Sequence, residues 1–275
     1  MKKAIYGSVG MKEIEMKMAK TQGFTLVELL VVIGILGILS AALFPAISNA
    51  VMQANMTAVG TRGRDIFVAI TGANTEREPL GLGSVWPKTS APKDAATGSG
   101  DTDIGDMPFS TAEDYFKELY DGENVGTASW SPYVAGFDYG KLAGAGVSSQ
   151  PGGSTTLDAQ YVMWCIGANI RDEMEDVIPI LVTRNVDCSK LATKYEGTSV
   201  TKVDLGKGTY TTPFSNKAFV MIRKGGAIFK ARDKYATLRV IYQGQQFDLA
   251  PSGTSSDLDP FCYLKPGGKD TPSGS

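Results

Sequence analysis

Gly23-Phe24-Thr25-Leu26-Val27-Glu28 runs straight into an uncharged stretch, Leu29 to Ile47, that reads LLVVIGILGILSAALFPAI. The stretch is 19 residues long, and a helix needs about 20 to cross a bilayer core. A short basic segment precedes it. A secretory signal would instead hold an apolar core of about 7–15 residues, with a small-residue cleavage site after it. Here the small residue, Gly23, comes before the run. A cut there leaves the apolar segment on the mature chain. Glu28, at the head of the run, is costly in lipid, on the order of 2.5–3.5 kcal/mol at the bilayer centre and less near the interface. Such a charge needs a partner. If the chain begins at Phe24, its α-amino group is the nearest cation. The plainer alternative is an interfacial glutamate flanking an ordinary anchor.

These residues resemble the class III signal of type IV pilins and type II secretion pseudopilins: a basic leader, a glycine, Phe-Thr-Leu-x-Glu, then an apolar helix. Gly23, Phe24, Thr25, Leu26 and Glu28 carry the match, which covers roughly Lys17 to Pro45. The resemblance implies cleavage between Gly23 and Phe24 by a prepilin peptidase, N-methylation of Phe24, and polymerisation through the helix. It implies prepilin peptidase, an inner-membrane assembly platform and other pilin or pseudopilin subunits as partners. In a filament the Phe24 amine of a neighbouring subunit would meet Glu28 and set the axial register. Pro45 lies inside the run, where proline removes one backbone hydrogen bond and kinks or loosens a helix. Gly34 and Gly37 loosen the same helix, although Gly and Pro are also simply more frequent in membrane helices.

The chain has 275 residues and a formal charge of −2, room for one membrane helix and one globular domain. The leader, residues 1–23, holds five lysines against two glutamates, so its removal takes the chain from −2 to −5. That balance does not suit a general nucleic-acid binder. By the positive-inside rule the leader stays cytoplasmic and the rest is exported. There is no histidine, which removes Ser-His-Asp and Cys-His catalysis and every zinc site that needs imidazole. Of the three cysteines, Cys165, Cys188 and Cys262, two could pair in an exported protein. Cys165–Cys188 is the preferred disulfide, with buried free thiols as the alternative.

Taken in order, the helix starting at Phe24 should outlast the membrane and end near residue 72. Met52, Met56, Val59, Ile66 and Ile70 recur at helical spacing with polar residues between them, although Gly60 and Gly63 weaken this half. A helix from Phe24 to Ile70 would be about 70 Å long. Gly72 and Asn74 read as stop signals. Residues 73–160 read as loop-rich, broken by Pro79, Pro87, Pro92 and Pro108. Within them a short helix spans 110–121, with Ser110 as N-cap, Glu113 closing a capping box, and Tyr115, Phe116 and Leu119 on the apolar face. Trp130, Tyr133, Phe137 and Tyr139 read as buried anchors of the loop after it. The sheet should lie in 161–265: YVMWCI at 161–166, IPILVT at 178–183, a hairpin of 218–223 and 227–230 about Lys224-Gly225-Gly226, and YATLRVIY at 235–242. Residues 266–275 read as a disordered tail. The fold class is α+β: one long N-terminal helix packed on a C-terminal antiparallel sheet with long loops.

Outside the N-terminal motif the chemistry is thin. Asp101, Asp103 and Asp106 cluster in one loop, and Asp257 and Asp259 in another. Calcium takes six to eight oxygens. Some major pseudopilins hold calcium in a C-terminal loop, so Asp257 and Asp259 are the candidate metal ligands, against the alternative of solvated carboxylates. Residues 171–176, RDEMED, read as a charged turn between strands. Arg223, Lys224, Lys230, Arg232, Lys234 and Arg239, interleaved with Phe229 and Tyr235, form the densest basic stretch. It suits the solvent face of strands better than a nucleic-acid surface. Neither Gly152-Gly153 nor Gly225-Gly226 has the Lys-Ser/Thr of a phosphate loop. The expected function is structural, not enzymatic: a subunit of a pilin-like filament, read as a type II secretion pseudopilin in the bacterial inner membrane with an exported domain. The alternatives are a type IV pilin for adhesion, motility or DNA uptake, and a membrane-tethered binding protein that never polymerises.

Overall fold

The computed structural model describes residues 24–90, 104–121, 137–151, 156–192, 194–198, 200–246, 249 and 259–270. The chain divides into two compact units, Met1–Asn49 and Ala50–Ser275. Helix α1, Leu26–Arg77, begins in the first and ends in the second.

In the first unit every described residue is exposed. That includes Phe24 and the large apolar side chains from Leu26 to Ile47. α1 remains helical through Pro45, although the missing proline N–H leaves the Ala41 carbonyl without its ladder partner.

The second unit is built on a six-stranded antiparallel sheet in the order β4-β3-β2-β1-β5-β6. The strands are β1 (Trp164–Ala168), β2 (Pro179–Thr183), β3 (Ala218–Arg223), β4 (Ile228–Arg232), β5 (Cys262–Lys265) and β6 (Gly268–Asp270). Trp164 lies opposite Thr183, Ile166 opposite Leu264, and Ala218 opposite Arg232. Successive strand residues point to opposite faces, so each face gathers its own core. Trp164, Ile166, Leu181, Val220, Ile222 and Leu264 face α1 and the short helix α2 (Ala112–Asp121). Cys165, Val182, Phe219, Met221 and Tyr263 face a second layer built from Val186, Leu191, Tyr195, Leu238, Ile241 and Tyr242. Strands covered on both faces read as nearly continuous apolar runs, which explains the unbroken IPILVT and AFVMI.

α1 meets the first face through Met56, Val59, Gly60, Gly63, Ile66, Ile70 and Ala73. Their spacing of three or four residues is one helical stripe. The glycines belong to it because the sheet comes close: a Cβ on Gly63 would lie 2.6 Å from the Trp164 ring, and one on Gly60 would lie 2.8 Å from Ile228. The buried phenols are satisfied by carbonyls, Tyr115 on Val85 at 2.8 Å, Tyr242 on Leu191 at 2.7 Å and Tyr263 on Pro179 at 2.6 Å. Burial pushes all three phenols above the ordinary tyrosine range.

Several expectations need correction. α1 runs to Arg77, past Gly72 and Asn74. Gly72 is an exposed helical glycine, tolerated at about 1 kcal/mol. The Asn74 side-chain oxygen accepts from the Val85 N–H at 2.8 Å. Termination comes from Pro79 and from Gly81, whose φ of 70° is the left-handed cap. The α2 cap is Thr111, not Ser110: its hydroxyl donates to Asp114 and accepts the Asp114 N–H. Glu113 instead accepts from the Gly267 N–H at 3.0 Å. Residues 235–242 are not a strand. They form a turn and the one-turn helix α3, Leu238–Ile241, because the buried Leu238, Ile241 and Tyr242 fall at i, i+3 and i+4. The strand read at 161–166 begins only at Trp164. The tail read as disordered from Pro266 opens with a turn and β6, which pairs with β5. Trp130, Tyr133 and residues 271–275 lie outside the described residues.

Candidate functional site

The head of α1 is locally built by its own sequence. Thr25 donates to the Glu28 carboxylate from its N–H at 2.9 Å and from its hydroxyl at 2.8 Å. The Glu28 N–H donates back to the Thr25 hydroxyl at 3.2 Å. This is a reciprocal capping box, T-x-x-E, satisfying donors that a helix start leaves orphaned. Within the chain Glu28 caps the helix. Its charge lies near the positive end of the helix dipole. Phe24 sits just ahead of the cap and is 76% exposed. Gly23, the other half of the expected cleavage bond, lies outside the described residues.

From this cap the apolar run continues to Ile47 with no covering partner among the described residues of its unit. A window within it has the hydropathy of a membrane span and is 0% buried. Together with the motif, this supports membrane anchoring.

The remaining expectations resolve individually. Cys165, Cys188 and Cys262 are all buried, and Cys165 and Cys188, the pair expected to cross-link, share the second core. Asp259 accepts from the Thr89 hydroxyl at 3.1 Å, and Asn169 donates to the same hydroxyl at 2.8 Å. The Thr89 hydroxyl therefore ties its loop to the segments that follow β1 and precede β5. Asp257, Asp101 and Asp103 lie outside the described residues. Among the described residues no three His, Cys, Asp or Glu side chains cluster as a metal site.

The charged turn at 171–176 is anchored by its neighbours. Lys224 donates to the carbonyls of Asp172 and Met174 at 2.8 and 2.7 Å, and Arg171 donates to that of Leu249 at 3.0 Å. The basic stretch divides. Lys224 is committed to that turn, and Arg223 is 7% exposed, donating to the Ile241 carbonyl and stacked over Phe229. Lys230, Arg232 and Lys234 stay at the surface. One residue of weight has no sequence signal. The half-buried Arg184 donates to the carbonyls of Ala159, Gln160, Val162 and Thr212 and to the Thr212 hydroxyl. It lies over Tyr210 at 4.5 Å. Burial lowers its pKa, with Tyr210 opposing. Only the folded loops reveal that five acceptors converge on it.

Residues 18–44 match the family model described as the prokaryotic N-terminal methylation motif, the signature of type IV pilins and pseudopilins. No curated protein and no solved structure matches the chain. The motif supports a pilin-like subunit processed by prepilin peptidase.

Proposed function

We propose that the chain is a structural subunit of a pilin-like filament, a type II secretion pseudopilin, anchored in the inner membrane until its helix enters a shared filament core. The observation that carries this is the pairing of the motif with its geometry: an exposed apolar helix opens on a Thr25–Glu28 cap, with Phe24 exposed directly before it. A helix left bare over that length must be covered by lipid or by other copies, because apolar surface in water is unfavourable at about 25 cal/mol per Å². A neighbouring subunit's N-terminal amine would bring Glu28 its counter-charge during that exchange. The choice of pseudopilin over pilus rests on Asp257 and Asp259 in the C-terminal loop, where some major pseudopilins that this chain resembles hold calcium, and on Cys262 having no second cysteine near it in the sequence. Its role is cohesion and mechanical work, with the sheet domain facing outward.

Mass spectrometry of the mature N-terminus, from membrane and sheared-surface fractions, tests both levels. A chain starting at N-methyl-Phe24 in the membrane fraction is the expected result. The same chain in sheared filaments would assign it to a surface pilus. An intact Met1 in cells with active prepilin peptidase would overturn the filament reading.

A further inference from the structure

We infer that copies of this chain dock head to tail through charge, the acidic turn at 172–176 of one copy seated in the basic groove between α1 and β4 of the next. The inference deepens the filament reading by naming where one copy meets another. Asp172, Glu173, Glu175 and Asp176 put four carboxylates into five positions, and all four are exposed. The groove, about 260 Å³, is lined by Lys230, Arg232 and Lys234 together with Gln53, Met56 and Tyr235. β4 is an edge strand, so no further strand covers it. Both patches belong to the Ala50–Ser275 unit. The turn is fixed through its backbone. Lys224 holds the Asp172 and Met174 carbonyls at 2.8 and 2.7 Å, and the Gly225 N–H donates to the Asp176 carbonyl at 3.1 Å. That leaves the carboxylates to solvent. On the groove side Lys230 donates to the Thr57 hydroxyl at 3.1 Å.

Elsewhere in the domain neighbouring opposite charges find each other: Lys190 and Lys207 pair with Asp204, Lys194 with Glu196, and Lys202 with Asp233. The four carboxylates of the turn and the three cations of the groove form no ion pair among the described residues. Distance keeps them apart within one copy. The turn abuts Gly225, and a Cβ on Gly226 would meet Phe67 at 2.8 Å. Thr57, at the groove, lies ten residues back along α1 from Phe67, about 15 Å as helix. An ion pair needs about 4 Å. The two stretches are the densest acidic and the densest basic ones among the described residues, so each is the other's best match on this chain. Two unlike patches that complement each other make a heterologous contact, which repeats from copy to copy and builds an open helical assembly when it does not close. One exposed pair contributes little, so several act together, helped by the effective concentration of copies already held in a filament.

The test uses the full chain, purified in neutral detergent from cells with active prepilin peptidase, as an equal mixture of heavy-isotope and unlabelled copies. A carbodiimide joins a carboxylate to an amine in direct contact. The expected products are mixed-isotope peptides linking residues 172–176 to Lys230 or Lys234. Their yield should fall several-fold as salt rises from about 0.05 M to about 0.5 M. E173K/E175K and K230E/K234E should each lower copy-to-copy product several-fold. The four changes together exchange the signs, restore complementarity and should recover it. All four side chains are exposed, so both cores stay intact. Absence of mixed-isotope product, or a fourfold variant joined no better than the two paired ones, would overturn the inference. So would amides from Lys230 and Lys234 to any other carboxylate, which would assign the groove to a different face. The N-terminus of the same sample is read separately. An intact Met1 sinks the filament reading, whereas N-methyl-Phe24 without the turn-to-groove amides sinks this inference alone.

Discussion

Replacing Gly63 with alanine should destabilise the domain, although the same change elsewhere in α1 should stabilise it. An alanine Cβ at this position would sit 2.6 and 2.9 Å from two carbons of the Trp164 ring and 2.9 Å from Ile222 Cγ1. Trp164 and Ile222 are fully buried on adjacent parts of one sheet, so neither can turn away. Overpacking of a tight core costs about 1–3 kcal/mol, and this geometry belongs at the upper end. Gly to Ala within a helix returns about 1 kcal/mol. The net is a loss of about 2 kcal/mol, or about 4–8 °C in Tm for a domain of this size. Gly72 is the internal reference: a methyl group there would find nothing within 4 Å. G72A should therefore gain about 1 kcal/mol from propensity alone. At Gly60 the obstacle is Ile228 Cγ2 at 2.8 Å, a half-buried side chain on the edge strand that can rotate, so G60A should be near neutral. Thermal unfolding of the mature chain in neutral detergent, followed by near-ultraviolet circular dichroism, ranks the three. A G63A variant as stable as G72A would refute close packing of α1 on the Trp164 face.

Burial raises the Glu113 carboxyl above its ordinary value of 4.5, opposed by N–H bonds from its own backbone and Gly267. Its contribution is therefore present below the unfolded pKa and lost as pH rises through the folded one. The unaltered chain should lose Tm relative to E113Q between pH 4 and pH 7, and a constant difference across that range would contradict this. With all three cysteines buried, a maleimide should label none of them in the native chain, and labelling in denaturant without reductant counts the thiols, three if none is cross-linked. Recovery of one thiol in denaturant would instead restore a disulfide. If Asp257 and Asp259 hold calcium, millimolar calcium should raise Tm in the unaltered chain but not in D257N/D259N; no rise in either would leave Asp259 as the loop tether to Thr89 alone.

Local and periodic signals in the sequence carry the helix, the hairpin and most of the first core. The stripe from Met56 to Ile70 and the face of Tyr115, Phe116 and Leu119 are legible because helical spacing is a property of neighbours. The 218–223 strand is legible because a Gly-Gly turn follows it. What escapes depends on distant partners. β5 is four residues, FCYLK without its phenylalanine, and becomes a strand only by pairing with β1 through Ile166 and Leu264. The second core is invisible as a layer because it collects loop residues such as Val186, Leu191, Tyr195 and Val203, which have no common period. Thr25 and Glu28 stand out as members of a processing motif. That they also cap each other follows from the same T-x-x-E spacing, so one short signal carries two meanings.

The two units bury apolar surface by different means, which separates their roles. In Ala50–Ser275 both sheet faces are covered by the chain itself, with Trp164, Phe219, Tyr242 and Tyr263 fully buried. This domain therefore has cores of its own on both sheet faces. From Phe24 to Asn49 every residue is exposed, and the side-chain bonds at its head, among the described residues, are those of Thr25 and Glu28. The apolar surface left for lipid to cover is therefore concentrated in that helix. It follows that core changes such as G63A should shift the unfolding of the sheet domain while leaving membrane association intact. Polar substitutions at Ile33 or Leu36 should do the reverse. A single perturbation that moved both quantities together would show that the units are energetically coupled.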